Sequence, residues 1–143
     1  MPLPDVNAVL RTYLVANAGL ITLVGTPLPV RIYCPRLPEN AVLPAVGFFV
    51  RGGTSTPYIP NIPTPSFQFD CWGRSVIEAR AVYRAVYDAL QGIQNIAVVI
   101  APTTYYILSA REEVQGQDLA DTTEVPNYFR VLTFFEVMIR GID

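Results

Sequence analysis

The chain has 143 residues, 51% apolar and 15% charged, with ten arginines, no lysine, no histidine and a formal net charge of −2. That length fits one domain with its own core. The missing histidine and lysine exclude Ser-His-Asp and Cys-His nucleophile systems, imidazole metal ligands, Schiff bases and the lysine of a phosphate-cradling loop, and the acidic balance argues against gripping nucleic acid with a clustered basic face.

In chain order, Asp5 reads as an N-cap, and Val6, Val9, Leu10, Tyr13, Leu14 and Ala18 form a helical stripe. Leu20 to Val24 reads as one further short turn, closed by Gly25-Thr26-Pro27. Arg31 to Cys34 is a short strand kept at a sheet edge by Pro27, Pro29 and Pro35. Ala45 to Arg51 reads as a central strand buried on both faces. Residues 52–65 carry Pro57, Pro60, Pro63 and Pro65, a spacing that favours extended chain and excludes a regular ladder. They are expected to form a loop or arm that presents Tyr58, Ile59 and Ile62 for docking.

The centre of the chain is the clearest. Phe67, Phe69 and Cys71 alternate with Gln68, Asp70 and Trp72, the pattern of a strand with one face on a core. After Gly73-Arg74, Ser75 and Glu78 form a capping box, with the carboxylate expected to reach back to the Ser75 N–H. Val76, Ala79, Tyr83, Val86 and Leu90 supply the buried stripe of the helix, and Gly92 ends it. Ile96 to Ile100 reads as a short buried strand or connector, and a further strand starts at Thr104. Residues 112–126 hold Glu112, Glu113, Asp118, Asp121 and Glu124 and are expected to be an acidic loop stopped at Pro126.

Tyr128 to Ile139 is the longest strand expected. Phe129, Val131, Thr133, Phe135, Val137 and Ile139 face one way; Tyr128, Arg130, Leu132, Phe134, Glu136, Met138 and Arg140 face the other. Only one of these flanks can lie under the helices. Leu132, Phe134 and Met138, with Arg130 and Glu136 beside them, are therefore candidates for a subunit interface. Apolar content above the usual range of about 45–50%, with charge well below about 25%, points the same way.

The fold class that follows is α+β, one domain over 1–143. A mostly antiparallel sheet of about four to five strands is packed on one face by two helices, with a protruding proline-rich loop or arm. The five acidic residues do not have calcium-loop spacing, and nothing pairs two carboxylates in a cleft. Neither metal, cofactor nor catalysis is expected. Cys34 and Cys71 read as buried thiols rather than a disulfide, and no apolar run is long enough to span a bilayer. A binding module docking through its proline-rich arm and a carboxylate-dependent hydrolase remain as competing readings.

Several short phrases together resemble one family: Leu23-Val24-Gly25, Arg31-Ile32-Tyr33, Leu43-Pro44, Phe67 to Gly73 followed by Ser75, Glu78 and Ala79, then Leu90-Gln91-Gly92, and Arg130 to Val137. The order and wording are similar to the tail completion proteins of long-tailed bacteriophages, also called tail terminators or tail-to-head joining proteins. The likeness runs from about Val6 to Arg140. It implies an α+β virion subunit, made in the host cytoplasm, that forms a six-membered ring at the head-proximal end of the tail tube. Its partners would be copies of itself, the tube protein and the head connector or stopper, with DNA only as cargo in the lumen and no membrane. A head-closure component of the same neck is the alternative. The insertion at 52–65 departs from the family pattern, and the family has no catalytic residues to transfer.

Overall fold

The computed structural model describes residues 3–25, 29–38, 41–55, 57–58, 62–121 and 128–141. Helix α1 spans Val6–Val15 and α2 spans Ala18–Val24. Each starts at a side-chain cap: Asp5 accepts from the Ala8 N–H and Asn17 from the Leu20 N–H, satisfying donors with no partner inside the helix. Where one further short turn from Leu20 to Val24 is expected, the Asn17 cap starts a helix two residues earlier.

Strands β1 (Ile32–Tyr33), β2 (Ala45–Thr54), β3 (Thr64–Gly73), β4 (Gln94–Ile100), β5 (Thr103–Asp121) and β6 (Tyr128–Arg140) form one sheet in the order β1-β2-β3-β6-β5-β4. That is six strands with three helices, not about four to five with two. The short β1 lies at an edge, as expected for Arg31 to Cys34, and runs parallel to β2, while every other pairing is antiparallel.

Register explains the core. Phe69 lies opposite Phe48 on one side and Thr133 on the other, Phe67 opposite Val50 and Phe135, and Cys71 opposite Val46 and Val131. The inward positions of three adjacent strands thus coincide, and Phe48, Phe67, Phe69 and Phe135 meet with ring centres 5.6–6.4 Å apart. Such pairs are worth about 0.5–1.5 kcal/mol each beyond their buried area. Helix α3 (Val76–Leu90) covers this row with Ala79, Val82, Tyr83, Val86, Ala89 and Leu90. Gly73 has to be glycine here, since a Cβ would come within 2.5 Å of the Ala79 nitrogen.

Four expectations need correction. The ends of the proline-rich run do enter the ladder: Gly53 pairs with Pro65 and Thr54 with Thr64, past a register shift that follows Val50. A bulge and a place near the hairpin end are where a sheet tolerates proline. Residues 112–121 are not a loop but the second half of β5, paired with β6 as far as Asp121–Tyr128. Its loop-like polar composition reflects a hairpin that runs beyond the β4 pairing, which stops at Ser109. Val76, placed on the buried stripe, is 44% exposed. Finally, Glu78 Oε1 accepts from the Arg74 N–H at 2.9 Å, not from that of Ser75, while Ser75 Oγ accepts from the Glu78 N–H as expected.

Candidate functional site

The face of the sheet turned away from the helices is where the outward set of β6 lies. Leu132, Phe134, Glu136 and Met138 are half-buried there. Their cross-strand neighbours are Asp70, Gln68 and Ser66 on β3, and Gln117, Val114, Arg111 and Ser109 on β5. The apolar side chains are therefore neither roofed by the chain nor fully open. At the β2 side, the backbone of Arg36 and Leu37 passes 3.6 Å from where a Gly47 Cβ would sit, so that end is covered.

Arginine organises the rest of this face. Arg51 Cζ lies 3.8 Å from the Phe134 ring centre, Arg140 4.8 Å from that of Tyr106, and Arg130 5.3 Å from that of Trp72. A planar guanidinium can cover an aromatic face and still bond in its own plane, which an ammonium cannot. Arg130 also pairs with Asp70 at 3.5 Å, and Arg111 with Glu136 at 2.9 Å. Burial raises the Asp70 carboxyl above the usual range, opposed by the Arg130 charge and a hydrogen bond from Gln68. Beside Phe134, Arg51 Nε donates to Ser66 Oγ (2.9 Å), which donates to Glu113 Oε1 (2.5 Å). This relay lines a polar hollow of about 210 Å³ together with Gly53, Thr54, Thr64 and Glu136.

Among the described side chains, Glu112, Glu113 and Asp118 do not gather. Glu112 turns inward, its Oε2 accepting from Tyr83 Oη at 2.7 Å and lying 2.7 Å from Thr133 Oγ1. Glu113 joins the relay on the outer face, and Asp118 pairs with Arg80 of α3 at 3.0 Å. The Asp121 side chain and Glu124 lie outside the described residues, as does Ile59. Tyr58 is 91% exposed and Ile62 is half-buried. Among the described residues no three His, Cys, Asp or Glu side chains could hold a metal. Both cysteines are free; Cys71 is buried as expected, but Cys34 is exposed.

A second open surface, which the sequence reading missed, lies along α3. Val76, Ile77, Arg80, Tyr83 and Arg84 border a wide apolar depression of about 460 Å³. The signal was present in Ile77, an apolar residue off the buried stripe. No single helix among the described residues is long and apolar enough to cross a membrane; α1 and α2 together pass by length and composition but meet at an 83° bend.

No family model matches the chain, and no curated protein matches it either. Among solved structures, a chain from the virion of a native gene transfer agent particle superimposes with a TM-score of 0.63 at 19% sequence identity. The match covers 94% of this chain and 93% of that one. At that identity the likeness establishes a shared fold over nearly the whole chain.

Proposed function

We propose that this chain is a structural virion protein that assembles into a ring at the head-proximal end of a phage-type tail tube, ends tube growth and joins the tail to the head connector. The observation that carries the proposal is the near end-to-end fold match to a chain of a gene transfer agent virion. The tail-completion phrases in the sequence support it independently, as does the half-covered apolar row on β6. On this reading Leu132, Phe134 and Met138 form the ring contact, with Arg130 and Glu136 adding paired charges at its rim. Tyr58, Ile59 and Ile62 of the proline-rich sequence segment, and Glu112, Glu113, Asp118, Asp121 and Glu124 of the acidic one, belong to segments that meet the tube protein or the connector on this reading. The subunit performs no catalysis and takes no cofactor.

Electron microscopy of the purified protein tests this, with the variant Phe134→Asp alongside. Rings with a central hole, six-membered by the family resemblance and lost in the variant, are the expected result. A monomer at micromolar concentration that stays monomeric when tube protein is added would overturn the proposal.

A further inference from the structure

The two edges of the sheet are guarded very differently. At one edge β1 has two paired residues and is followed by Pro35 and Pro38, which cannot donate to a ladder. At the other, β4 has seven residues, and no described residue outside β5 hydrogen-bonds to its backbone within 94–100. Natural edge strands are usually blunted by charge, proline or a covering element. Helix α1 packs against β4 without bonding to its backbone, no charged residue occurs from Ala89 through Ala110, and β4 contains no proline. In a chain with ten arginines, the whole β4–β5 edge hairpin has none within that span.

The pairing pattern says which groups are open. Ile100 and Thr103 flank a two-residue turn and pair with each other, and Val98–Tyr105 and Ile96–Ile107 follow in step. In an antiparallel ladder alternate residues direct both backbone groups to one side, so Ala97 and Val99 direct theirs away from β5. Their side chains are exposed, Val99 at 63%. Ile96 and Ile100 are half-buried against the core, on the same side as buried Val98.

We infer that β4 is a strand-addition edge whose occupant is the β4 strand of a second copy, paired antiparallel about a two-fold axis at Val98. This register sets Ala97 against Val99 of the partner strand, where each can exchange both of its open backbone groups. It also sets Ile96 against Ile100 of the other copy, joining the two half-buried flanks into one apolar row. A two-fold axis brings a strand's own charges close to their copies and penalises them, and this strand has none. Continuation from β4 to the β1 of a neighbour is ruled out by the two-residue length of β1 and the prolines after it. The inference does not rest on the ring reading, since the outer face of β6 and the β4 edge are separate surfaces.

The test uses the full chain, with native mass spectrometry and amide hydrogen exchange over a concentration series. Val99→Pro removes an N–H that β5 does not use, so the β4–β5 ladder survives while self-pairing loses a bond in each copy. The expected result is wild-type pairing with Ala97 and Val99 amides that slow as concentration rises, and pairing weakened about tenfold or more in Val99→Pro. Ala97→Lys, at an exposed side chain, gives the same loss without touching the backbone. Amides that exchange at one rate throughout, slow only when a different protein is added, or slow equally in Val99→Pro would overturn the inference. Phe134→Asp keeps the β4 protection, which separates this failure from a failure of the ring.

Discussion

Arg51 lies with its guanidinium carbon 3.8 Å from the centre of the Phe134 ring, so the most outward-facing phenylalanine of β6 is capped by a charge from β2, two strands away. The stack spans β3 and ties both hairpins together on the open face. A double-mutant cycle with Arg51→Ala and Phe134→Ala, read by urea denaturation, is expected to give a coupling of about 0.5–1 kcal/mol, the range for an exposed cation–π pair.

Tyr83 points inward from α3, its hydroxyl donating to Glu112 and accepting from the Gly116 N–H at 3.2 Å. Burial and the Glu112 carboxylate push its pKa up from 10.0 to about 12. The neutral phenol is thus favoured in the fold. Its stabilising contribution is complete below pH 10, where the unfolded phenol titrates, and is lost as pH rises towards about 12. Tyr13, also raised by burial, acts in the same direction. The urea midpoint should therefore fall more steeply above pH 10 in the wild type than in Tyr83→Phe. The variant should also lose about 1–3 kcal/mol at neutral pH, because Glu112 is left short of a donor.

Gly116 marks where β5 passes beneath that tyrosine. A Cβ there would lie 2.7 Å from Tyr83 Cζ and 2.8 Å from Val131 Cγ1. Gly116→Ala is expected to destabilise by about 1–3 kcal/mol, the usual cost of overpacking. Thermal melts of the single variant and of Gly116→Ala combined with Tyr83→Leu would check the cause, with the second change recovering part of the loss.

The two thiols should be told apart by any maleimide. Cys34 is exposed and Cys71 fully buried, its thiol pushed far up by burial and by the nearby Asp70 and Glu112 carboxylates. One equivalent is expected to react in the native protein and two after denaturation. Two fast equivalents without denaturant would contradict the packing of β3 against α3.

Elements whose periodicity agrees with their burial were legible from residues alone. The alternation of Phe67, Phe69 and Cys71, the Asp5 and Ser75 caps, the Gly92 stop and the two flanks of β6 all follow from local rules that the tertiary structure leaves intact. The second half of β5 was hidden because Glu112 to Asp121 has the composition of a loop. Its strand state comes from pairing with β6, and its inward carboxylate is held by Tyr83 and Thr133, residues distant in sequence. Ser66 gave no hint of joining Arg51 to Glu113, since that relay exists only once three strands are in register. The spare apolar area on β6 was legible, but Arg51, which lies over its Phe134 ring, comes from β2.

Strand β5 runs for 19 residues, which at roughly 3.3 Å per residue is a contour of about 60 Å. A sphere of this chain length would be roughly 40 Å across. Three register shifts interrupt the strand's pairing with β6, the kind of irregularity at which a ladder bends. Force applied along this ribbon is borne in shear by many hydrogen bonds at once, whereas force applied across its tip would unzip them singly. The hairpin is therefore stiff to traction lengthwise and yields sideways, a mechanical anisotropy built into one unbroken stretch of backbone.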